Sequence, residues 1–282
     1  MTSPSGSPGP SEPSESLERL SGAWNFRDVA ETTAVAPGRL FRSSELSKLD
    51  ECGRRQLATL GIGDVADLRS PAELQRRGTG AVPAGTVVHH LPFPEVSHSH
   101  SVDTDAAAPH ESSWQKMMTE YSDEDPVIAA TRWMTGEYER FPTLGGALRA
   151  VRQIITMIGD GRPVLVHCFA GKDRTGFAVA LALEAGGVDR DAILSDYLRS
   201  NDAVATLRRS ILDSMNSREG TTDEVMSFAE SRLTDEVLGV REQYLASARR
   251  VLDDTHGGLD GYLRAAGVSA EDVTRLRTRL NG

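Results

Sequence analysis

"VLVHCFAGKDRTGFAVALALEAGG", residues 164–187, joins a short apolar run to a longer one through a polar loop. The run at 164–167 has the unbroken hydrophobicity of a parallel strand that is buried on both faces. The run at 175–185 is apolar on nearly every side and ends at two glycines, a pattern typical of a buried central helix. A strand, a tight loop and a buried helix in this order predict an α/β fold.

The segments before this stretch alternate between strand and helix patterns. Strands are predicted near 39–43, 64–70 and 86–93, and helices at 49–61, 71–78 and 143–159. The last of these helices has apolar residues at helical spacing along one face. After 187 the chain becomes mainly helical, roughly at 189–216, 222–232, 235–253, 257–266 and 269–280. We therefore expect one α/β domain with a helical C-terminal part.

Composition limits the classes of protein to be considered. The chain has 282 residues, 39% hydrophobic and 26% charged, which is ordinary for a globular protein. A net charge of -10 argues against a nucleic-acid binder. No apolar run approaches 18 residues, so no transmembrane segment is predicted. The Ser/Pro/Gly-rich start predicts a disordered tail over 1–19, followed by a single domain over 20–282.

The cysteines and the N-terminus bear on the cellular compartment. Cys52 and Cys168 are the two cysteines of the chain, too few for a disulfide framework. The N-terminal residues do not combine a cationic and an apolar segment as a secretory signal does. A reduced, cytoplasmic location is therefore the default expectation.

The loop between strand and helix has the composition of an oxyanion trap. Successive backbone amides of a glycine-containing loop can point inward, and the positive end of the following helix adds to them. Arg174 can hold two oxygens of a tetrahedral dianion. Such surroundings favour the thiolate form of Cys168, and a thiolate beneath a phosphate implies a phosphocysteine intermediate.

Other interpretations of the loop fit less well. A nucleotide-binding loop needs glycine and a hydroxyl residue where Val166 and Asp173 stand. A rhodanese-like sulfurtransferase does not explain the Arg-Thr-Gly ending. A merely structural cysteine leaves Lys172, Asp173 and Arg174 together without a purpose.

"HCFAGKDRTG" matches the signature H-C-x5-R-[S/T]-G, and the chain resembles the Cys-based protein tyrosine phosphatases, in particular an atypical branch with Lys-Asp before the arginine. Further similar blocks are GAWNFRDVA (22–30), GRLFRSSELS (38–47), DVADLRS (64–70), HLPFP (90–94), DYLRSND (196–202) and VLGVREQYLASAR (237–249). The resemblance covers roughly 20–280. It implies a tyrosine-phosphatase-like fold, with a central, mostly parallel sheet flanked by helices, and a helical lid at about 202–245.

The resemblance also assigns roles. Cys168 is the expected nucleophile and Arg174 the phosphate clamp, while His167 orders the loop. The remaining loop residues are expected to bind substrate through the backbone: Phe169, Ala170, Gly171, Lys172 and Asp173. The Thr175 hydroxyl is expected to stabilise the leaving thiolate, or else to cap the helix.

The proton donor for the leaving group stays open between two carboxyl groups. The mobile Trp-Pro-Asp loop that many tyrosine phosphatases use is absent from the sequence. Asp173 is the favoured general acid, and Glu95, just after "LPFP", is the second candidate. Asp67 and Asp28 are expected to pair with nearby arginines.

Substrates are expected to be phosphotyrosyl proteins, with broader activity on phosphoserine, phosphothreonine and phosphoinositides. Lys172 either receives a second phosphate or only adds positive field. Two alternatives remain: a phosphoinositide phosphatase with the same residues, and a phosphate-binding module without turnover. Five histidines between 89 and 110 have no ligand spacing, so no metal and no cofactor is predicted. The resemblance also implies that export without a recognisable signal peptide is compatible with this sequence.

Overall fold

The fold is described from a computed structural model, which describes residues 20–93, 124–217 and 222–282. The predicted tail at 1–19, the second acid candidate Glu95, and four residues of the predicted lid, 218–221, lie outside the described residues. None of the described helices is both long enough and apolar enough to cross a membrane.

The described residues form one five-stranded sheet. Its strands are β1 (Arg27–Asp28), β2 (Leu40–Ser43), β3 (Asp64–Asp67), β4 (Val87–His90) and β5 (Val164–His167). Their order is β1-β2-β5-β3-β4, with β1 antiparallel to β2 and all other neighbours parallel. The predicted α/β fold with a mostly parallel central sheet is confirmed, with the apolar run at 164–167 as the central strand.

Helices connect and cover the strands. Before β5 these are α1 (Glu51–Thr59), α2 (Pro71–Arg77), α3 (Pro126–Arg140) and α4 (Gly145–Asp160). Helix α3 was not predicted from the sequence, because its apolar residues do not mark one face: Val127 and Ile128 are exposed, whereas Met134 and Tyr138 are buried. The edge strand β1 was also not predicted, because a two-residue strand has no readable period.

The chain after β5 is helical, as predicted. Its helices are α5 (Asp173–Ala185), α6 (Arg190–Leu198), α7 (Val204–Asn216), α8 (Asp223–Arg232), α9 (Asp235–Leu238), α10 (Glu242–His256), α11 (Leu259–Ala266) and α12 (Ala270–Asn281). The single helices expected at 189–216 and 235–253 are each broken. One contact joins the two breaks: the Asn201 amide accepts from Val240 N at 2.7 Å and donates to Val240 O at 3.1 Å.

The sheet separates two apolar clusters. Val164 and Val166 of β5 face the larger cluster, which contains α4 and α5, whereas Leu165 faces a smaller cluster with Leu57 of α1. Alternate residues of one strand therefore bury on opposite faces, as the sequence predicted for 164–167. The carboxyl ends of β2, β3 and β5 meet at one edge, and the Cys-containing loop leaves from this edge.

Candidate active site

Cys168 begins the loop that connects β5 to α5, and its side chain is 2% exposed. The loop turns at Gly171, which has φ +67°. A Cβ atom at Gly171 would lie 2.1 Å from the carbonyl oxygen of Ser43. Glycine is therefore required both for the left-handed conformation and for the close approach of β2.

The carbonyl groups of the loop point down onto a polar floor. Asn25 Nδ2 donates to the carbonyls of Ala170 and Gly171 at 3.1 and 3.0 Å, and Arg42 Nη2 donates to Gly171 at 2.8 Å. Carbonyl and amide groups of one planar peptide point in opposite directions. Fixing these carbonyls on the floor therefore leaves the intervening amides directed to the other side, where an oxyanion would be bound.

The floor itself is a buried cluster of charges. Asp196 accepts from Arg27 Nε at 2.8 Å and from Arg42 Nη1 at 2.6 Å, and all three side chains are at most 4% exposed. Burial alone would raise the pKa of Asp196, but Arg42 and Arg27 outweigh it, so the pKa lies below its usual value. Burial and the neighbouring Arg42 charge lower the pKa of Arg27 to about 10.

Arg174 is held by a carboxylate that the sequence analysis did not identify. Its two terminal nitrogens donate to the two oxygens of Glu73 at 2.7 and 2.8 Å. Burial opposes its charge, but Glu73, with smaller contributions from Cys168 and Asp173, raises the pKa of Arg174 above its usual value. The guanidinium therefore stays charged and fixed in orientation beside the thiol, which is what clamping a phosphoryl group requires.

Glu73 is positioned by the start of α2. Ser70 and Glu73 form a reciprocal capping box, in which Glu73 Oε2 accepts from Ser70 N at 2.7 Å and the Ser70 hydroxyl accepts from Glu73 N at 3.2 Å. The segment S-P-A-E at 70–73 is the sequence signal of this box. It identifies a helix start, but it does not reveal that the same carboxylate reaches Arg174.

Asp173, the favoured acid candidate, is the first residue of α5 and accepts hydrogen bonds from two groups. Lys172 Nζ lies 3.1 and 3.2 Å from its two oxygens, and the Tyr138 hydroxyl donates to it at 3.0 Å. Tyr197 in turn donates to the Tyr138 oxygen at 2.7 Å. Burial, and then the charge of Asp173, raise the pKa of Tyr138 well above its usual value, so this phenol is a hydrogen-bond donor.

The Lys172 ammonium does not face an open pocket in this structure. Besides Asp173, it donates to the carbonyls of Val237 at 2.8 Å and Gly239 at 3.1 Å, at the end of α9. Its side chain is 7% exposed. The two expected uses of Lys172, receiving a second phosphate or adding positive field, stay predictions.

Thr175, His167 and Asp67 lie close to the Cys168 loop or to its strand. Thr175 lies inside α5 rather than at its N-cap, and its buried hydroxyl has no hydrogen-bond partner among the described residues. His167 Nδ1 contacts the Cys168 carbonyl at 3.1 Å, and burial lowers the His167 pKa, which favours an ordering role for a neutral ring. Asp67 pairs with Arg69 as expected.

Asp28 differs from expectation. Instead of pairing with an arginine, its carboxylate accepts from the backbone amides of Ala30 at 3.0 Å and Gly38 at 2.6 Å. It caps the short 3₁₀ turn at Val29–Glu31, where a carboxylate acceptor is favoured. Among the histidines within the described ranges, His89 contacts Asp64 and His90 contacts the Arg69 carbonyl.

The rim beside the loop is aromatic. The Phe169 ring packs edge-on to Trp24, with centroids 6.2 Å apart, and the Arg77 guanidinium lies 4.6 Å from the Phe169 centroid. The Arg77 Nε atom also donates to Glu45 at 2.5 Å. A partly exposed phenyl ring next to the cysteine loop offers an apolar surface to an aryl group.

The fold and the loop define a cysteine-dependent phosphatase. The loop combines a buried cysteine, backbone amides directed away from the polar floor and an arginine held by Glu73. Comparison with known proteins gives the family: the tyrosine phosphatase family model matches residues 18–282. The chain belongs to the tyrosine phosphatase family, and the resemblance inferred from the motif is confirmed.

Individual relatives agree with this family. The chain is 54% identical over 277 residues to the triple specificity protein phosphatase PtpB of Mycobacterium tuberculosis, covering 94% of this chain and 99% of that protein. It is 26% identical over 252 residues to a tyrosine-protein phosphatase of Nostoc commune, covering 88% and 76% of the two chains. The protein is thus an enzyme, a protein tyrosine phosphatase.

Proposed function

We propose that the protein hydrolyses phosphotyrosine and a wider set of phosphate monoesters through a phosphocysteine intermediate on Cys168. The observation that carries this proposal is the doubly hydrogen-bonded Glu73–Arg174 pair at the end of the loop that begins with Cys168. A guanidinium fixed at both nitrogens is pre-organised for a phosphoryl group, so little ordering remains when the substrate binds.

The proposed reaction has two steps. In the first, the Cys168 thiolate attacks phosphorus and the bond to the substrate oxygen breaks, while a carboxylic acid gives that oxygen a proton. In the second, water attacks phosphorus and gives a proton back to the carboxylate, while the S–P bond breaks, phosphate leaves and the thiolate returns. Arg174 and the amides of residues 169–174 hold the three equatorial oxygens throughout both in-line transfers.

Asp173 remains the favoured acid, with Glu95 as the alternative. The Lys172 and Tyr138 contacts fix the orientation of the Asp173 carboxyl group, and this supports a positioned role for it. Loss of a general acid matters most for a poor leaving group. We expect Asp173→Asn to lower turnover of phenyl phosphate by about 10²-fold and to affect para-nitrophenyl phosphate much less. If Glu95→Gln has that selective effect instead, the assignment passes to Glu95.

The range of substrates is proposed to be broad. The name of the Mycobacterium tuberculosis relative states three specificities, and 54% identity across the chain supports a comparable range here. Phosphotyrosyl proteins are the proposed main partners, with phosphoserine, phosphothreonine and phosphoinositides as further substrates. Lys172 is proposed to leave the Val237 and Gly239 carbonyls and to bind the second phosphate of a phosphoinositide. Lys172→Met should therefore reduce phosphoinositide turnover more than aryl phosphate turnover, whereas parallel losses would favour a role in the positive field alone.

A lid is also proposed, from α7 to the end of α9. The lysine contact to the end of α9 supports closure over the loop. The buried side chains of Leu233, Val237 and Leu238 belong to the main core, whereas α7 contributes one buried side chain to it, Leu207. The moving part is therefore proposed to be mainly α7 and α8. Opening of these helices would admit a protein-bound phosphate and closing would exclude water and oxidants.

The decisive experiment is hydrolysis of para-nitrophenyl phosphate in the presence of a metal chelator, with Cys168→Ser as the comparison. We expect full activity of the unaltered protein with the chelator and background activity of the variant. Radioactive phosphate that stays on the unaltered protein when the reaction with a labelled substrate is quenched in acid would identify the phosphocysteine. Turnover by Cys168→Ser at the original rate would overturn the proposed mechanism. No turnover by the unaltered protein under reducing conditions would favour the binding-only alternative.

A further inference from the structure

A cavity lined by arginines lies at the amino-terminal ends of β2 and β5, whereas the Cys168 loop leaves from the carboxyl end of β5. It has a volume of about 300 Å³, and its walls include Arg39, Arg275 and Arg279 together with Thr274 and Thr278. Arg39 directly precedes β2, and Gly159, also in the wall, is near the end of α4 just before β5. Because β2 and β5 run parallel, this cavity and the Cys168 loop lie at opposite ends of the same strands. The length of the strands separates them by at least about 10 Å.

The last helix supplies one face of this cavity through a short repeat. In "TRLRTRL", residues 274–280, the threonines and the outer arginines recur four positions apart, and so do Leu276 and Leu280. The leucines are buried in the core, which directs the Thr274/Thr278 and Arg275/Arg279 pairs along the neighbouring strip of the helix. The helix therefore presents hydroxyl and guanidinium groups side by side.

Two of the three arginines of the cavity have no carboxylate side chain as partner among the described residues. Arg275 is paired with Glu271 and Asp272. Arg279 donates only to the carbonyl of Gly161, and Arg39 makes no side-chain hydrogen bond or ion pair within the described ranges. Among the described residues, the guanidiniums of Arg39 and Arg279 thus have no carboxylate side chain as partner, and they share the cavity wall with the last residue, Gly282.

Polar atoms without partners point to a missing ligand. The Nε atoms of all three arginines are buried and have no hydrogen-bond partner among the described residues. Buried donors in native proteins are ordinarily satisfied, and an unsatisfied one costs free energy. Three such donors around one cavity are accounted for if a ligand with several acceptor oxygens binds there and the guanidiniums turn towards it.

We propose that this cavity, formed by Arg39, Arg279 and the threonine face of α12, binds a phosphate-bearing anion outside the active site. Guanidinium forks match the oxygens of a phosphoryl group. The Thr278 hydroxyl can donate to a further oxygen, whereas the Thr274 hydroxyl donates to the carbonyl of Ala270 at 2.8 Å. The cavity volume is several times the roughly 30 Å³ that one water molecule occupies in the liquid, so it can hold such a group with its hydration. The ligand is either a free phosphate compound or the headgroup of a phosphorylated lipid.

The experiment is a titration of the full-length, ¹⁵N-labelled protein with inorganic phosphate, followed by amide NMR. Gly159 and Gly161 report on the distal cavity and Gly171 on the Cys168 loop, so the two sites are read separately in one sample. We expect saturable shifts at Gly159 and Gly161, and no such shifts with sodium chloride at equal ionic strength. Absence of a saturable response at these two glycines would overturn the proposal.

Two variants make the assignment specific. In Arg39→Ala/Arg279→Ala the response of Gly159 and Gly161 should weaken by roughly tenfold or more, because charge-assisted hydrogen bonds are lost. The response of Gly171 and the hydrolysis of aryl phosphate should stay unchanged. Arg264→Ala, which removes the same charge from an exposed position on α11, should leave all three glycines responsive. An unweakened distal response in the double variant would overturn the proposal.

The source of the phosphate group is resolved by two further titrations. A soluble inositol phosphate and phosphatidylcholine vesicles that contain phosphatidylinositol phosphate are compared on the unaltered protein. Shifts at Gly159 and Gly161 with the soluble compound alone assign a free ligand. Binding to the phosphorylated vesicles but not to plain ones assigns a lipid headgroup when Arg39→Ala/Arg279→Ala weakens it, because binding through the Cys168 loop persists in that variant. If the double alanine variant does not fold, Arg39→Lys/Arg279→Lys keeps the charge, removes the forked geometry and should still weaken the distal response.

Discussion

The Cys168 loop is held between two regions of opposite character. Below it, the floor of Asn25, Arg27, Arg42 and Asp196 consists of polar groups that are almost all buried and hydrogen-bonded to one another or to the loop. On the α9 side, Lys172 donates to two backbone carbonyls, and neighbouring α7 buries one residue, Leu207. Stability in proteins is uneven in this way, and segments that must open have few buried contacts. The floor fixes geometry, whereas the α7–α9 segment is suited to opening.

The floor should therefore be the more costly region to disturb. Asp196→Ala leaves Arg27 and Arg42 as two buried cations without their shared carboxylate. We expect a loss of about 3–5 kcal/mol in the free energy of unfolding, measured by urea denaturation. Asp191→Ala on the same helix removes an exposed carboxylate and should change the value by less than about 0.5 kcal/mol. Equal effects of the two substitutions would remove the distinction between the floor and an ordinary surface.

The same carboxylate makes the floor sensitive to acid. In the folded protein, Arg42 and Arg27 hold the pKa of Asp196 below its usual value of 3.8. A lowered carboxyl pKa contributes stability that is present above the unfolded pKa and is lost as the pH falls through the folded one. The free energy of unfolding should thus begin to fall as the pH drops below about 3.8. Measurements of unfolding against pH should show a weaker dependence in this range for Asp196→Asn.

The brace on Arg174 gives the next largest effect, on rate rather than stability. Glu73→Gln keeps the size of the side chain but removes the charge that orients the guanidinium. We expect kcat/KM for aryl phosphate to fall by about 10²-fold, as for a small misplacement of a catalytic group. Glu51→Gln, which disturbs an exposed pair with Arg54, is the matched control. A variant with Glu73→Gln and the original kcat/KM would show that Arg174 needs no brace.

These residues also show how far the sequence alone could lead. The strand at 164–167, the loop and the buried α5 follow from local hydrophobicity and glycine placement, and the Cys-to-Arg spacing identifies the chemistry. The braces could not be found in this way, because they join distant parts of the chain. Glu73 and Arg174 are 101 positions apart, and Arg42 and Asp196 are 154 apart. An arginine inside the apolar run of β2 was the one local sign of a buried charge.

Lys172 tests the opposite side of the comparison. Lys172→Met removes the two hydrogen bonds to the end of α9 while keeping most of the buried aliphatic chain. We expect amide hydrogen exchange across 235–240 to become about tenfold faster, since each charge-assisted hydrogen bond that opposes local opening is lost. Lys48→Met alters an exposed lysine and should leave this exchange unchanged. Unaltered protection in Lys172→Met would show that α9 is held by its buried apolar side chains instead.

The smallest effect is expected on α8. The Phe228 side chain is 42% exposed, and the Arg232 guanidinium lies 5.5 Å from the centroid of its ring. Phe228→Ser should change the free energy of unfolding by less than about 0.5 kcal/mol, because little apolar area is returned to water. Phe177→Ser in the core, where the ring is 1% exposed, is the contrasting variant and should cost several kcal/mol, on the order of 3–5. A large loss on Phe228→Ser would mean that α8 is packed as firmly as the floor, and an opening segment would then have to be confined to α7.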